Sequence, residues 1–427
     1  MLPKSFSPAL MVAAAFLVFG CEESAPPGDV STGDAAQGDR IDFLEKVPIG
    51  DPPGESPPWI THLQIVDLDE DGLPDVILTD ATLNQVRWIR QGPEGSFEER
   101  PLGEVVIAPA HVSASDVDGD GDLDLLVAEM GQILPSNAKI GSVVVLENRG
   151  DETFESRVLL ENVARVTDVE SGDFDADGDI DLVVGQFGYD DGEIRWLRNL
   201  GGWRFESQQL LSLPGTIHVP VADMDGDGDL DIAAVVSQTW ERVYVFENDG
   251  SGAFTSHVAY GATNEDFGSS GIALVDLDGD SDVDVLYTNG DAFDYVPSLP
   301  RPWHGVQWLE NRGGLEFAYQ RIGDFPGAYS ARAADADGDS DLDVFAVSLF
   351  ADWNDPASRS IVGFENDGAQ GFTRRDIDSS PTHLVILDAG DLDGDGRVDL
   401  VTGGLYSHEP FDRMGRVTWW RNLREGR

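Results

Sequence analysis

Seven times this chain places Asp at alternate positions and then again at the ninth, as in "DLDEDGLPD" from Asp67 and "DVDGDGDLD" from Asp116. Unaided, carboxylates this close repel one another and favour an open chain. A divalent cation reverses that. Side chains at loop positions 1, 3 and 5 converge on one point, and Gly at position 6 permits the sharp turn. A carbonyl at position 7 and Asp at position 9 complete a shell of hard oxygens suited to Ca²⁺. The predicted ligands are Asp67, Asp69, Asp71 and Asp75; Asp116, Asp118, Asp120 and Asp124; Asp173, Asp175, Asp177 and Asp181; Asp223, Asp225, Asp227 and Asp231; Asp276, Asp278, Asp280 and Asp284; Asp335, Asp337, Asp339 and Asp343; and Asp391, Asp393, Asp395 and Asp399, for up to seven ions. An EF-hand begins similarly but needs a bidentate Glu at position 12. Here that position holds Leu78, Val127, Val184, Ala234, Tyr287, Ala346 and Thr402. Copies two to four keep Gly121, Gly178 and Gly228 at position 6, whereas copies five and six carry Ser281 and Ser340. Ser strains a turn that favours Gly, so these two loops are expected to bind more weakly. Copies one and seven place Pro74 and Arg397 in the lower half of the loop.

The flanks say what holds the loops. A short apolar run leads in ("HLQIV", 62–66; "GIALV", 271–275) and a β-branched run follows ("DVILT", 75–79; "DLVVG", 181–185). After a variable loop comes a third run ending in a polar pair ("VYVFEN", 243–248; "VTWWRN", 417–422), then a Gly turn and a Phe-led fourth run ("FESRVL", 154–159). Runs this short, bounded by turn signals, are strands, and sustained helical periodicity is absent from the sequence. The units recur about every 50 to 60 residues, the length of one supersecondary unit that must stack on its neighbours. Four strands repeated seven times predict an all-β fold, a seven-bladed β-propeller with four-stranded antiparallel blades. The seventh copy runs out before its fourth strand, and "FLEKVPI" (43–49) precedes the first lead-in. The N-terminal strand is therefore expected to close the last blade and hide a sheet edge.

The runs "DVDGDGDLDLLV", "DFDADGDIDLVV", "DMDGDGDLDIAA" and "DLDGDGRVDLVT" resemble the FG-GAP-like, or VCBS, repeats of bacterial surface proteins and, more distantly, the blades of integrin α-chain propellers. The resemblance spans residues 41–427. It implies Ca²⁺ between the first and second strand of each blade, with the first strands lining a central channel and the calcium loops sharing one face. It implies a role in adhesion or recognition, and such propellers are sometimes attached to enzymes.

Two further sets of residues are candidates for recognition chemistry. In that architecture the loops joining second and third strands build the opposite face, and they carry Trp240, Tyr295, Trp303, Trp353 and Tyr406. Exposed rings there suit sugar stacking or peptide packing, unless they fold back into their own loops. Five residues before the first Asp of each loop, the first four copies read His62, His111, Asp168 and His218. Three imidazoles and a carboxylate at equivalent positions could hold Zn²⁺, Fe²⁺ or Mn²⁺, with Asp80 or Glu129 orienting a ring. A polar channel lining with water between the rings is the simpler reading. His383 lies eight residues before its Asp, the wrong strand parity for this set.

Composition and the N-terminus bound the rest. With 427 residues and a formal net charge of −53, nucleic acid is electrostatically excluded as a partner. Lys4, the apolar stretch Ala9 to Phe19 and "LVFGC" ending at Cys21 form a signal peptide over 1–20. Cys21, the single cysteine, sits as in the lipobox of bacterial lipoproteins, a resemblance that implies lipidation there. Residues 21–40 are small and polar and read as a tether. The expected location is the bacterial envelope, outer membrane or cell surface, with the lipid as the sole membrane contact; without the lipid the chain is periplasmic or secreted. Nucleophile elbows, H-E-x-x-H and phosphate loops are missing from the sequence. The leading expectation is a non-catalytic adhesion or recognition module for carbohydrate or protein ligands. The alternatives are a metal-dependent oxygenase or hydrolase, or a polysaccharide-degrading enzyme, working at the channel mouth, and a scaffold subunit of an envelope complex.

Overall fold

Each acidic loop joins two strands of an antiparallel sheet, and seven such sheets follow one another along the chain. The computed structural model describes residues 40–424 except 135, 151, 239 and 240. The signal segment, Cys21, nearly all of the tether and Trp240 lie outside the described residues. Blade 1 comprises Ile60–Val66, Asp75–Asp80, Gln85–Gly92 and Ser96–Leu102, in that order from channel to rim. The next five blades repeat the order, and a cavity at the ring's axis is walled by their first strands. The second strands are buried along their whole length in every blade but the second, because a blade in the ring is covered on both faces. This is why they read as unbroken apolar runs.

Blade 4 departs from the pattern. Its first strand is split into Thr216–His218 and Val221–Ala222 by Val219 and Pro220. Pro220 has no N–H to give, but its carbonyl still accepts from the Ala233 N–H at 2.9 Å, so the sheet continues across the break.

The N-terminal strand closes the ring as the sequence predicts. Leu44–Pro48 pairs antiparallel with Val417–Asn422, with Leu44 opposite Asn422 and Val47 opposite Trp419. An ion network reinforces the seam between blades 7 and 1. The Glu99 carboxylate, its side chain fully enclosed, accepts from both terminal nitrogens of Arg416 at 2.5 and 2.6 Å and from Arg87 Nε. Arg416 also donates to Asp80 at 3.1 Å.

The core is seven apolar clusters, one between each pair of neighbouring blades. Between blades 1 and 2, for example, Trp88 and Val86 pack with Val112, Leu125, Val144 and Leu146. Every cluster holds ten or more buried apolar side chains. At about 1.5 to 3 kcal/mol each, opening one interface forfeits as much as the whole net stability of a typical domain, about 5 to 15 kcal/mol. Closure of the ring is therefore an energetic necessity.

Candidate functional site

The acidic loops are wound by their own carboxylates. In loop 2 the Asp116 Oδ1 accepts from the Gly119 and Asp120 N–H groups and its Oδ2 from Gly121, while Asp120 Oδ1 accepts from Asp122. The position-9 Asp is buried and ties the loop to the blade. Asp124 Oδ2 accepts from Val117 N and Oδ1 from Asn148 N at the end of the third strand; the other blades repeat both bonds, except blade 6, where Asp343 keeps only the bond from Asn366 N. Position 6 is left-handed in every copy, with φ from 78° at Ser340 to 98° at Gly121, and Ser281 is held at 80°. Position 4 is left-handed too, including Glu70 at 55° and Ala176 at 57°.

These loops fit a bound cation. In each of the first four, three carboxylates bring one oxygen apiece within 4.8 Å of one another, as in Asp173, Asp175 and Asp181. At position 3, Asp69 Oδ1, Asp175 Oδ1 and Asp393 Oδ1 are buried without a hydrogen-bond partner, a costly condition that a cation between the carboxylates would relieve. Burial pushes the position-9 carboxyls up to about 6 in Asp75, Asp181, Asp231 and Asp399, and to about 7 in Asp124, Asp284 and Asp343.

Two features of the polar pair ending the third strand are not apparent from the sequence. Its second member is Gln91 in blade 1 and Asn elsewhere, and it latches blades together. Asn199, Asn248, Asn311 and Asn422 each donate from Nδ2 to the position-8 carbonyl of their own loop and to the position-2 carbonyl of the preceding blade's loop: Val117, Phe174, Met224 and Ala336. Gln91 does the same to Pro74 and, across the closure, to Leu392. Its first member is Arg in blades 1, 3 and 7, where Arg90, Arg198 and Arg421 approach the position-3 oxygens of Asp69, Asp175 and Asp393 at 2.5, 2.5 and 2.7 Å. In blades 2, 4, 5 and 6 it is Glu147, Glu247, Glu310 and Glu365.

At the opposite end of the first strands, the structure brings His62, His111, Asp168 and His218 together on the wall of a cavity of about 490 Å³. His111 Nδ1 lies 3.0 Å from Asp168 Oδ1, and His218 Nδ1 lies 3.4 Å from Asp168 Oδ2. The rings of His62 and His111 are 3.8 Å apart between centroids. Burial lowers both imidazoles, His111 to about 4, which keeps them neutral. Sequence reasoning missed Glu170, which follows Asp168 by two residues on the same strand and therefore shares its face. Its carboxyl stands 3.5 Å from His111 Nε2 and is raised by burial and by Asp168. Of the proposed orienting groups, Asp80 serves the seam network and Glu129 accepts from Ile107 N. His383 is fully buried, with Nε2 against the His408 carbonyl at 2.7 Å.

The aromatic candidates divide. Trp353 is 2% exposed and packs on His383, so it offers no stacking face. Trp303 is 38% exposed, and its Nε1 and the Tyr295 hydroxyl both donate to the Asp266 carbonyl at 2.9 Å. Tyr406 lies against Phe411 and Trp59.

No curated protein matches the chain. Among solved structures, a Photorhabdus luminescens Tc holotoxin pore aligns with 18% identity and a TM-score of 0.37 over 90% of this chain, which spans 15% of the toxin chain. The family model of the FG-GAP-like repeat matches residues 67–127, 116–184, 173–234 and 223–287, each match running from one acidic loop to the strand after the next. Matched over more than half its length and folded as a closed ring of seven such units, this chain belongs to the FG-GAP-like repeat family.

Proposed function

We propose that this protein is a calcium-clasped propeller that acts as a non-catalytic recognition module, exported and held at the bacterial envelope through a lipid on Cys21. The observation that carries the reading is the cavity of about 490 Å³ at the end of the channel remote from the acidic loops. Its volume lies in the range of small-ligand sites, about 300 to 1,000 Å³. Polar first-strand residues form its base and apolar groups such as Leu134, Phe187, Ile272 and Phe293 form its sides. Leu134 is 64% exposed and Phe293 43%, so both stand at the rim. Such a mouth suits the end of a saccharide or peptide, with Phe187, Tyr189 and Phe293 on its wall as packing surfaces.

Calcium in the loops would keep the blades in register, leaving recognition to the other face. The test is a glycan and peptide array probed with purified protein in Ca²⁺, followed by calorimetric titration of any hit. A carbohydrate or peptide ligand whose binding is lost in Leu134→Glu and Phe293→Ser supports the reading. A ligand indifferent to both changes, or no ligand in either class, refutes it.

A further inference from the structure

The channel ends in a group of buried side chains that the recognition reading leaves unused. His111 stands between two carboxylates, with Nδ1 at 3.0 Å from Asp168 and Nε2 at 3.5 Å from Glu170. One donor atom from each of these three residues lies within 4.8 Å of the other two. His62 packs against His111 from the neighbouring blade, its ring tilted by 42°. His62 Nδ1, in a residue only 8% exposed, is buried without a hydrogen bond, and His111 Nδ1 and Asp168 Oδ1, in residues 6 and 1% exposed, face each other at 3.0 Å without forming one. Leaving a buried polar atom without a hydrogen bond costs about 1 to 3 kcal/mol, so the group marks a place suited to something else.

Donor type indicates what that is. Imidazole nitrogen beside carboxylate oxygen suits first-row transition metals, whereas Ca²⁺ and Mg²⁺ take oxygen alone. The groups around the donors are already fixed. Asp168 Oδ2 accepts from Val219 N at 2.8 Å and lies 3.4 Å from His218 Nδ1. Ligands held in place by such contacts are the usual arrangement around a protein-bound metal.

We propose that the channel binds one divalent transition metal through His111, Asp168 and Glu170, with His62 as a fourth ligand and His218 as a positioning residue. This site is chemically separate from the acidic loops and goes beyond the recognition role.

Co²⁺ is the probe, because its visible absorption reports nitrogen ligation. The purified mature protein is saturated with Ca²⁺, equilibrated with Co²⁺ and desalted, and both metals are counted in the same sample. The expected result is one Co²⁺ per chain with a visible band, resistant to excess Ca²⁺. His111→Gln and Asp168→Asn should abolish it, and His62→Gln should weaken binding at least tenfold, with the calcium count unchanged. Absence of a calcium-resistant Co²⁺ in the wild type overturns the proposal, as does a full Co²⁺ complement in His111→Gln. Should His111→Gln or Asp168→Asn lower the melting temperature, the wild-type spectrum and His62→Gln decide the matter. The calcium count from the same sample tests the loop reading separately.

Discussion

The blade latch makes an internally controlled prediction, because the seven copies do not all close it. Asn311 donates from Nδ2 to Val283 O in its own loop at 3.1 Å and to Met224 O in the preceding blade at 2.8 Å. Asn366 donates to Leu342 O at 3.2 Å, and among the described residues it makes no bond to the preceding blade. Both keep their backbone N–H on the position-9 carboxylate after truncation, and both lose one side-chain acceptor for a glycine N–H. Asn311→Ala therefore strands two carbonyls, Asn366→Ala only one. At about 1 to 2 kcal/mol for each buried carbonyl left without its partner, Asn311→Ala should cost about 2 to 4 kcal/mol and Asn366→Ala about 1 to 2.

Scaling the typical unfolding entropy to roughly 390 residues gives about 0.8 kcal/mol per kelvin. The melting temperature should then fall by about 2 to 5 °C for Asn311→Ala and about 1 to 2 °C for Asn366→Ala. Differential scanning calorimetry in saturating Ca²⁺ reads both, since calcium held constant removes the neighbouring loop as a variable. If the two variants melt together, or Asn366→Ala melts lower, the inter-blade bond contributes nothing and the latch is only local.

Four further outcomes follow from the same geometry. Excess EDTA should lower the melting temperature sharply, because it leaves clustered carboxylates facing one another in each loop; an unchanged melt contradicts calcium binding there. Ser281→Gly and Ser340→Gly should each stabilise by about 0.5 to 1 kcal/mol, since both residues sit at left-handed φ near 80° and glycine relieves the strain. A lower denaturation midpoint in either would count against loop strain. Glu99→Gln should cost up to about 3 kcal/mol by removing the buried charge shared by Arg87 and Arg416, which keep only Asp51 and Asp80 respectively, against under about 0.5 for the exposed Glu98→Gln, both read by urea unfolding. Without metal, the position-9 carboxyls, raised by burial to about 6 or 7, bind protons in the folded state that the unfolded chain has released. Their contribution is present at low pH and lost as pH rises through 6 to 7, so the chelated protein should melt higher at pH 5 than at pH 7.5, and the calcium-saturated protein should not.

How much of this was legible in the sequence depends on whether a residue's role is local or borrowed from a neighbour. The acidic loop carries its own instructions, since Asp116 and Asp120 bond to backbone within five residues, and the strands on each side are set by β-branched runs. Ring closure was legible for the same reason, because a blade lacking its fourth strand must find one in "FLEKVPI". The split in blade 4 needed only a closer look at Pro220. Glu170 was recoverable from strand periodicity, because two residues after Asp168 on one strand share a face. The latch was not recoverable, because an Asn at a strand end says nothing about a carbonyl some 80 residues earlier in the chain. Nor was the burial of Trp353, which depends on how a long loop packs against His383.

The residue before the latch sorts the seven loops into electrostatic classes, and this bears on how each would take calcium. Where it is Arg90, Arg198 or Arg421, a guanidinium already sits on the position-3 carboxylate and must be displaced or shared when a cation enters. Where it is Glu147, Glu247 or Glu310, a carboxylate that also pairs with Arg149 and Arg157, with His257 or with Arg312 stands near a position-3 Asp whose carboxyl is already raised, first by burial and then by neighbouring carboxylates. Loop 6 is mixed, because Asp337 meets Arg424 from blade 7 at 2.8 Å while Glu365 occupies the pair. Position 6 cuts across this division, since Ser281 and Ser340 are expected to weaken loops 5 and 6. Only loops 2 and 4 combine the added carboxylate with a glycine turn, and these should fill first. Calcium titration should therefore be heterogeneous, with Glu147→Gln or Glu247→Gln weakening the tightest phase and Arg198→Gln strengthening a later one. Seven identical sites, or an Arg198→Gln that binds less calcium, would show that the ion reads the ligands alone and ignores the charge behind them.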